Sequence, residues 1–454
     1  MLKLGSVGDF MRRRVWRPLV RLTAGILGLA VAGGALAQTR PTPTVAPTSA
    51  ADAAAEHLGF NAPKLMALRH FMQKQVDDGQ IAGAVTLLAR HGRIVSVDTF
   101  GKRDLVAGDP MRPDTIFRIR SETKPITGLA MMILYEEGLW TLDDPVTKFI
   151  PEFEKLQVVT GQDAEGQPIL EPVSRPATMR ELMTHTAGFA YGLAEDGPAD
   201  TAYLRAGVLQ SASMQEMIDR IAGLPLYAQP GVRWRYSAAT DIQGAIIERL
   251  TGMSLADFMQ SRIFGPLGMV DTGFYVPTDK LGRLATLYDM DTATNRLAQA
   301  PDRIDDLTKA PGMASGGGGL YSTATDYAHF AQMILNHGEL NGVRILKPET
   351  VALMRENHLP PSFSVTSNGI RPSPLGEGVG FGLDWAVVTD PALSHQPVGK
   401  GTLSWGGSSG TWFWIDPAHD LIFIGMIQRL GGTGGGLDWT TRVLTYQALT
   451  DPAK

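Results

Sequence analysis

Apolar residues recur at helical spacing from Ala62 to Val76, at Leu65, Leu68, Phe71, Met72 and Val76, which predicts an amphipathic helix. The period then shortens. Ala84 to Ala89 and Ile94 to Phe100 read as strands on either side of His91-Gly92, a hairpin turn. The apolar run from Gly128 to Leu134 predicts a buried helix, stopped at Gly138 and followed by a turn at Asp144-Pro145. Glu154 to Arg175 is polar and reads as an exposed loop. Thr178 opens a further helix, with Glu181 placed for a capping box. Residues 190 to 228 look helical and irregular, Asp241 to Leu250 and Leu255 to Phe264 are helices, and Leu346 to Glu349 marks another helix start. Near the end the period shortens again. Gly401 to Trp405, Thr411 to Asp416 and Leu421 to Ile427 form an antiparallel meander with turns at Gly406 to Gly410 and Pro417 to Asp420, and Leu437 to Ala448 closes the chain as a helix.

Strands at both ends with helices between them predict an α+β fold. Its mixed antiparallel sheet is completed by the two termini, flanked by helices, and carries an inserted helical lobe. No internal repeat interrupts this order.

Composition narrows the function classes. The chain has 454 residues, 44% hydrophobic and 19% charged, a globular balance with ample core. A net charge of −5 carries no nucleic-acid footprint. The absence of cysteine excludes disulfides, thiolate metal sites and a cysteine nucleophile. The nine histidines form no His-Glu-x-x-His pattern, so neither a metal nor another cofactor is expected. At the N-terminus, Arg12, Arg13, Arg14, Arg17 and Arg21 precede an apolar run from Leu22 to Ala32 and the small-x-small site Ala35-Leu36-Ala37. Residues 1–37 therefore read as a cleaved export signal, through either the general or the twin-arginine route, with an uncleaved anchor as the competing reading. Residues 38–58, rich in Pro, Thr and Ala, read as a disordered tether, and 59–454 as the folded domain. The expected location is periplasmic or secreted, with no membrane span left after cleavage.

Ser121-Glu122-Thr123-Lys124 stands immediately before the buried helix. Residues three apart share a helix face, so the hydroxyl of Ser121 and the amine of Lys124 are expected to meet. A serine needs a base beside it, and a lysine can serve if burial or cationic neighbours lower its pKa. Ser-x-x-Lys alone is equally the pattern of a capping serine and a surface lysine. Two further stretches complete a site. Tyr236, in Tyr236-Ser237-Ala238, offers a phenol that a nearby ammonium favours as phenolate, able to act as base and then acid. Trp405-Gly406-Gly407-Ser408 ends a strand in glycines that let backbone N–H groups approach a ligand, so the N–H of Ser408 pairs with that of Ser121 as an oxyanion hole.

With these stretches in their order, the chain resembles the serine β-lactamase and penicillin-binding-protein superfamily, and within it the class C β-lactamase-like carboxylesterases (family VIII esterases), from about residue 60 to about 450. Leu182 to Gly188, Gly316 to Ser322 and Gly378 to Leu383 look similar to that family too. The resemblance implies the β-lactamase fold and acyl transfer through Ser121, Lys124 and Tyr236. Penicillin-recognising members carry Tyr-x-Asn and Lys-Thr-Gly where this chain has Ala238 and Trp405-Gly406-Gly407. Loss of the amide and of the cation that attracts a carboxylate favours a neutral small-molecule ester or lactone as substrate. The competing readings are a β-lactamase or D-amino-acid peptidase, an acyltransferase, and a binding protein on an enzyme fold. Gly406 to Gly410 also satisfies Gly-x-Ser-x-Gly, but that nucleophile elbow needs a helix after it, and Thr411 to Asp416 reads as a strand. His185 is a weaker triad candidate. The glycine clusters at Gly316 to Gly319 and Gly431 to Gly436 read as loops.

Overall fold

The computed structural model describes residues 50–301, 306–360, 375–432 and 436–450. The export signal and the first part of the expected tether lie outside them. The domain begins earlier than residue 59. Ala50–His57 is a helix, and Ala55 and Leu58 are buried against Phe60, Leu65 and Leu68. Two apolar residues seated in a core outweigh the tether-like composition around them.

A seven-stranded antiparallel sheet organises the molecule. From one edge it runs Val379–Phe381, Ala386–Val388, Leu403–Gly406, Thr411–Asp416, Leu421–Met426, Gly83–Arg90 and Arg93–Gly101. The first and last parts of the chain therefore pair directly, Val85 with Met426 and Leu88 with Phe423. His91 and Gly92 both adopt positive φ and form the tight turn their order predicts. The strand Gly83–Arg90 is buried at every position, as a central strand covered on both faces should be.

The pleat sends alternate residues to two cores. On one face Leu88, Trp412, Trp414 and Phe423 pack with Leu65, Leu68 and Met72 from the helix Ala62–Asp77 and with Leu437 and Tyr446 from the closing helix Leu437–Ala448. On the other, Val85, Leu87, Phe413, Ile422 and Ile424 meet the helices Thr123–Glu136 and Ala324–Leu335. The helix Thr123–Glu136 is buried from Thr123 to Leu134, which explains why its sequence is apolar on all sides. Gly138, at φ 75°, follows its C-terminus. The helical lobe packs on this helix through Ala239–Thr251. The capping box at Thr178 forms as expected: its hydroxyl accepts from Glu181 N, and its own N–H donates to the Glu181 carboxylate.

The segment expected as an exposed loop is instead a hairpin, with Gln157–Gln162 paired to Pro168–Pro172. Its outer strand is exposed at every position, so no alternation marked it in the sequence. The helix from Leu255 passes through a π turn at Gln260–Phe264. No helix among the described residues is long and apolar enough to cross a membrane.

In the sheet, Gly425 stands opposite Trp412, whose indole lies where a side chain would go; an added Cβ would sit 2.2 Å from Trp412 Cζ2. Gly425→Ala is expected to cost about 1–3 kcal/mol through overpacking, read as a lower urea midpoint with an unchanged slope.

Candidate active site

The sheet and the helical lobe meet at residues 119–124. Ser121 lies in a 3₁₀ turn, Arg120–Glu122, that runs straight into the helix Thr123–Glu136. Arg120 holds a φ of 48°, a left-handed conformation uncommon for a non-glycine residue. The turn is fastened to the sheet. The carbonyl of Ile119 lies so close to Gly407 that an added Cβ there would come within 2.3 Å of it. Thr411 Oγ1 donates to the same carbonyl at 3.3 Å, and Arg120 Nε donates to Ser409 Oγ at 3.2 Å. Gln428 binds both segments: its Oε1 accepts from Arg118 N at 2.8 Å, and its Nε2 donates to Arg118 O and Ser409 O. Ser121 and Ser408 are thereby carried on segments bound edge to edge, with Ser121 half-buried and Ser408 exposed. The strand Thr411–Asp416 follows Gly410, so the nucleophile-elbow reading of Ser408 has no helix to support it.

Lys124 is fully buried. Its Nζ donates to Gly317 O at 2.6 Å and to Tyr191 Oη at 2.9 Å, and lies 4.5 Å from the centre of the Tyr236 ring. No hydrogen bond joins it to Ser121 among the described residues, which corrects the expectation that the hydroxyl and the amine meet directly. The expectation of a lowered amine pKa is corrected as well. Burial pulls the amine down, but Tyr191, Tyr236 and Asp241 outweigh it and hold the amine above its ordinary 10.5. At neutral pH Lys124 is an ammonium. Tyr191, in turn, is pushed up by burial, with the Lys124 charge opposing.

Tyr191 and Asp241 did not emerge from the sequence, and Gly317 only as one of the Gly316 to Gly319 cluster. Asp241 Oδ1 accepts from Gly317 N at 3.0 Å and from Ser315 Oγ at 2.5 Å, which aims the Gly317 carbonyl at Lys124. A side chain at Gly317 would run into Asp241 and Tyr191, so the glycine cluster is part of the lysine's seat. Tyr236 Oη is buried and makes no hydrogen bond among the described residues, unlike Tyr191 Oη, which accepts from Lys124. The Tyr236 ring packs against Tyr191, Trp234, His185 and Trp405. Trp405 thus lines the phenol as an apolar wall, between Tyr236 and Phe381. Gly406, exposed at the strand end, and buried Gly407 carry the chain from Trp405 to Ser408. His185 is buried, with Nδ1 2.9 Å from Ser237 Oγ; burial and then the Lys124 charge push its pKa well down. It is a neutral support for the tyrosine loop and makes no hydrogen bond to Ser121. Among the described residues no cluster of His, Asp and Glu could hold a metal ion.

The family model for Beta-lactamase matches residues 68–447. The chain belongs to the beta-lactamase family. A Mycobacterium tuberculosis protein is 42% identical over 78% of this chain and 87% of its own. Esterase EstB of Burkholderia gladioli is 35% identical over 75% of this chain and 84% of its own. Among solved structures, EstCE1, a hydrolase with promiscuous acyltransferase activity, superposes with a TM-score of 0.71 at 30% identity, covering 88% of this chain and all of its own.

Glu122, beside the candidate nucleophile, is fully buried. Burial pushes its carboxyl well above the ordinary 4.5, with the Thr411 hydroxyl opposing. A raised folded-state pKa means that the unfolded chain releases this proton first, so the stability contribution is complete below the unfolded pKa and is lost as pH rises through the folded one. Glu122→Gln, which keeps the shape and removes the titration, is expected to match the wild type in urea midpoint near pH 4 and to exceed it increasingly towards pH 8.

Proposed function

We propose that this protein is an exported serine carboxylesterase working through an acyl-enzyme. The observation that carries the reading is the buried amine of Lys124, hydrogen-bonded to the Gly317 carbonyl and the Tyr191 phenol, lying against Tyr236 and one helical turn from Ser121. Such an ammonium is a poor proton acceptor and a strong electrostatic partner for one. Tyr236, with no protein hydrogen bond on its oxygen, is assigned the proton traffic. Ser121 Oγ attacks the ester carbonyl as Tyr236, acting as a phenolate beside the Lys124 ammonium, takes its proton and becomes the neutral phenol. The N–H groups of Ser121 and Ser408 hold the oxyanion. Tyr236 then returns the proton to the departing alcohol. The phenolate so restored takes a proton from water, which attacks the acyl-enzyme, and passes that proton to Ser121 Oγ as the acid leaves.

The substrate class follows from the wall facing the phenol. Trp405 offers an indole where a cation would attract a carboxylate, and Ala238 has no amide for a substrate peptide. The reading is a small neutral ester or lactone. Esterase EstB and the hydrolase EstCE1 support the reaction class. The acyltransferase activity in the latter's description also supports a second reading, in which an alcohol other than water takes the acyl group.

With p-nitrophenyl esters of rising chain length, Ser121→Ala is expected to lose about 10³-fold or more in kcat, with Tyr236→Phe close behind. Undiminished turnover in Ser121→Ala ends the mechanism. Nitrocefin is expected to turn over far more slowly than the best ester, and an added alcohol that diverts product from acid to a new ester identifies transfer. Export is tested separately: protein recovered outside the cytoplasm should begin near Gln38, and a start at Met1 overturns the signal assignment.

A further inference from the structure

The two phenols around Lys124 come from different segments, and one carboxylate holds both. Asp200 lies in the first turn of the helix Pro198–Arg205 and is buried. Its Oδ1 accepts from the backbone N–H groups of Tyr191 at 3.0 Å and Gly192 at 3.1 Å. Its Oδ2 takes Arg235 Nη2 at 2.6 Å, and Arg235 immediately precedes Tyr236. The Arg235 guanidinium also lies 4.5 Å over the ring of Tyr227. Backbone bonds tie the same two segments at their flanks: Ala238 N donates to Ala190 O, and Arg235 N donates to His185 O. Gly192, at φ 72°, leaves no room for a side chain against Tyr203, which lets this loop lie on the helix that carries Asp200.

Resting on the active-site reading above, we infer that Asp200, with Arg235, is a positioning brace that sets the separation of Tyr191 and Tyr236 about the catalytic lysine. A charged pair with only 4% of the Asp200 side chain exposed is geometrically demanding. Each of its oxygens answers to one phenol-bearing segment, so a loose brace displaces both phenols from Lys124 together. Arg235 has a second carboxylate, Asp196, at 2.8 Å, but that side chain is 73% exposed and reaches neither tyrosine segment's backbone. The ionisable groups acting on Lys124 are Tyr191, Tyr236, Asp241, His185 and Asp384. The brace touches none of them by side chain; it acts through the placement of the two phenols.

The test compares Asp200→Asn, Asp200→Ala, Arg235→Gln and Asp196→Asn in the full-length protein on one aryl ester. Asparagine keeps an oxygen for the two N–H groups and removes the charge that faces Arg235. Displacement by about 1 Å is enough to cost about 10²-fold. The expected losses in kcat are about 10-fold for Asp200→Asn and Arg235→Gln and about 100-fold for Asp200→Ala. KM should move by less than about threefold. Asp196→Asn should stay within about twofold of wild type, as an exposed pair should. The readout that separates positioning from stability is the split between kcat, which should fall, and KM, which should not, measured well below each variant's melting temperature. A fall in melting temperature with kcat unmoved overturns the brace. If Asp200→Ala does not fold, Asp200→Asn and Arg235→Gln decide by the same criteria. Full activity in Ser121→Ala would instead sink the active-site reading itself, and loss there with intact Asp200→Asn sinks only the brace.

Discussion

The structure depends on a buried positive charge. Lys124 is taken wholly out of water, a transfer that costs several kcal/mol unless the surroundings answer it. Here they answer with a carbonyl, a phenol oxygen, a second aromatic face and the charge of Asp241. They come from three stretches of chain, at Tyr191, at Tyr236 to Asp241 and at Gly317. The amine therefore acts as a lock: the helix Thr123–Glu136, the loop at Tyr191, the turn before Ala239–Thr251 and the glycine cluster at Gly316 to Gly319 must all be in place before the charge is satisfied. The same requirement explains the glycines. The glycine loop lies so close to the helix Ala239–Thr251 that a side chain at Gly316 would collide with Thr240 O and one at Gly317 with Asp241.

That lock changes the chemistry that a Ser-x-x-Lys motif suggests on its own. A serine and a lysine on one helix face invite a neutral amine as base. Once two phenols and a carboxylate surround the amine, the cation is favoured, and the proposed mechanism moves proton transfer to the phenol beside it. The lysine then serves as fixed electrostatics, already oriented before the substrate arrives, which is where enzymes gain most. The aromatic packing around Tyr236 complements this. Four rings confine the phenol and leave its oxygen without a protein partner.

What could be read from the sequence was what repeats or punctuates. The helix at Ala62, the hairpin at His91-Gly92, the closing meander and the Ser-x-x-Lys helix all carry periodic patterns over enough residues to register. The strands Val379–Phe381 and Ala386–Val388 are too short for alternation to speak, and the hairpin at Gln157–Gln162 has no buried outer strand to pattern it. The helix at Ala50 was hidden by a composition shared with tethers. Ser121, Lys124, Tyr236 and the Trp405 to Ser408 turn stood out because glycines, a helix start and a spacing marked them. Tyr191 had no such mark: it is a lone aromatic in an irregular loop, and it acquires meaning only when Lys124 reaches it from across the lobe boundary. Asp200 and Gln428 are harder still, because their partners are backbone groups, which no side-chain pattern records.

The division of the site between lobes gives the arrangement its logic. The proposed oxyanion donors belong to the seam of residues 118–121 with 407–411, where Gln428 and the close approach at Gly407 join the turn of Ser121 to the sheet. The two phenols around Lys124 belong to the helical lobe, where Tyr191 and Tyr236 are tied to each other through Ala190, Arg235 and Asp200. Ser121 and Lys124 stand at the junction, on one short run of backbone, and answer to both. The reach of the Lys124 side chain sets where the phenols can sit relative to the serine, and the register of the sheet sets where the Ser408 N–H can sit relative to the same atom. Variation in substrate can then come from the surfaces that neither constraint fixes, above all the indole wall at Trp405, without disturbing the spacing between nucleophile, phenol and oxyanion donors.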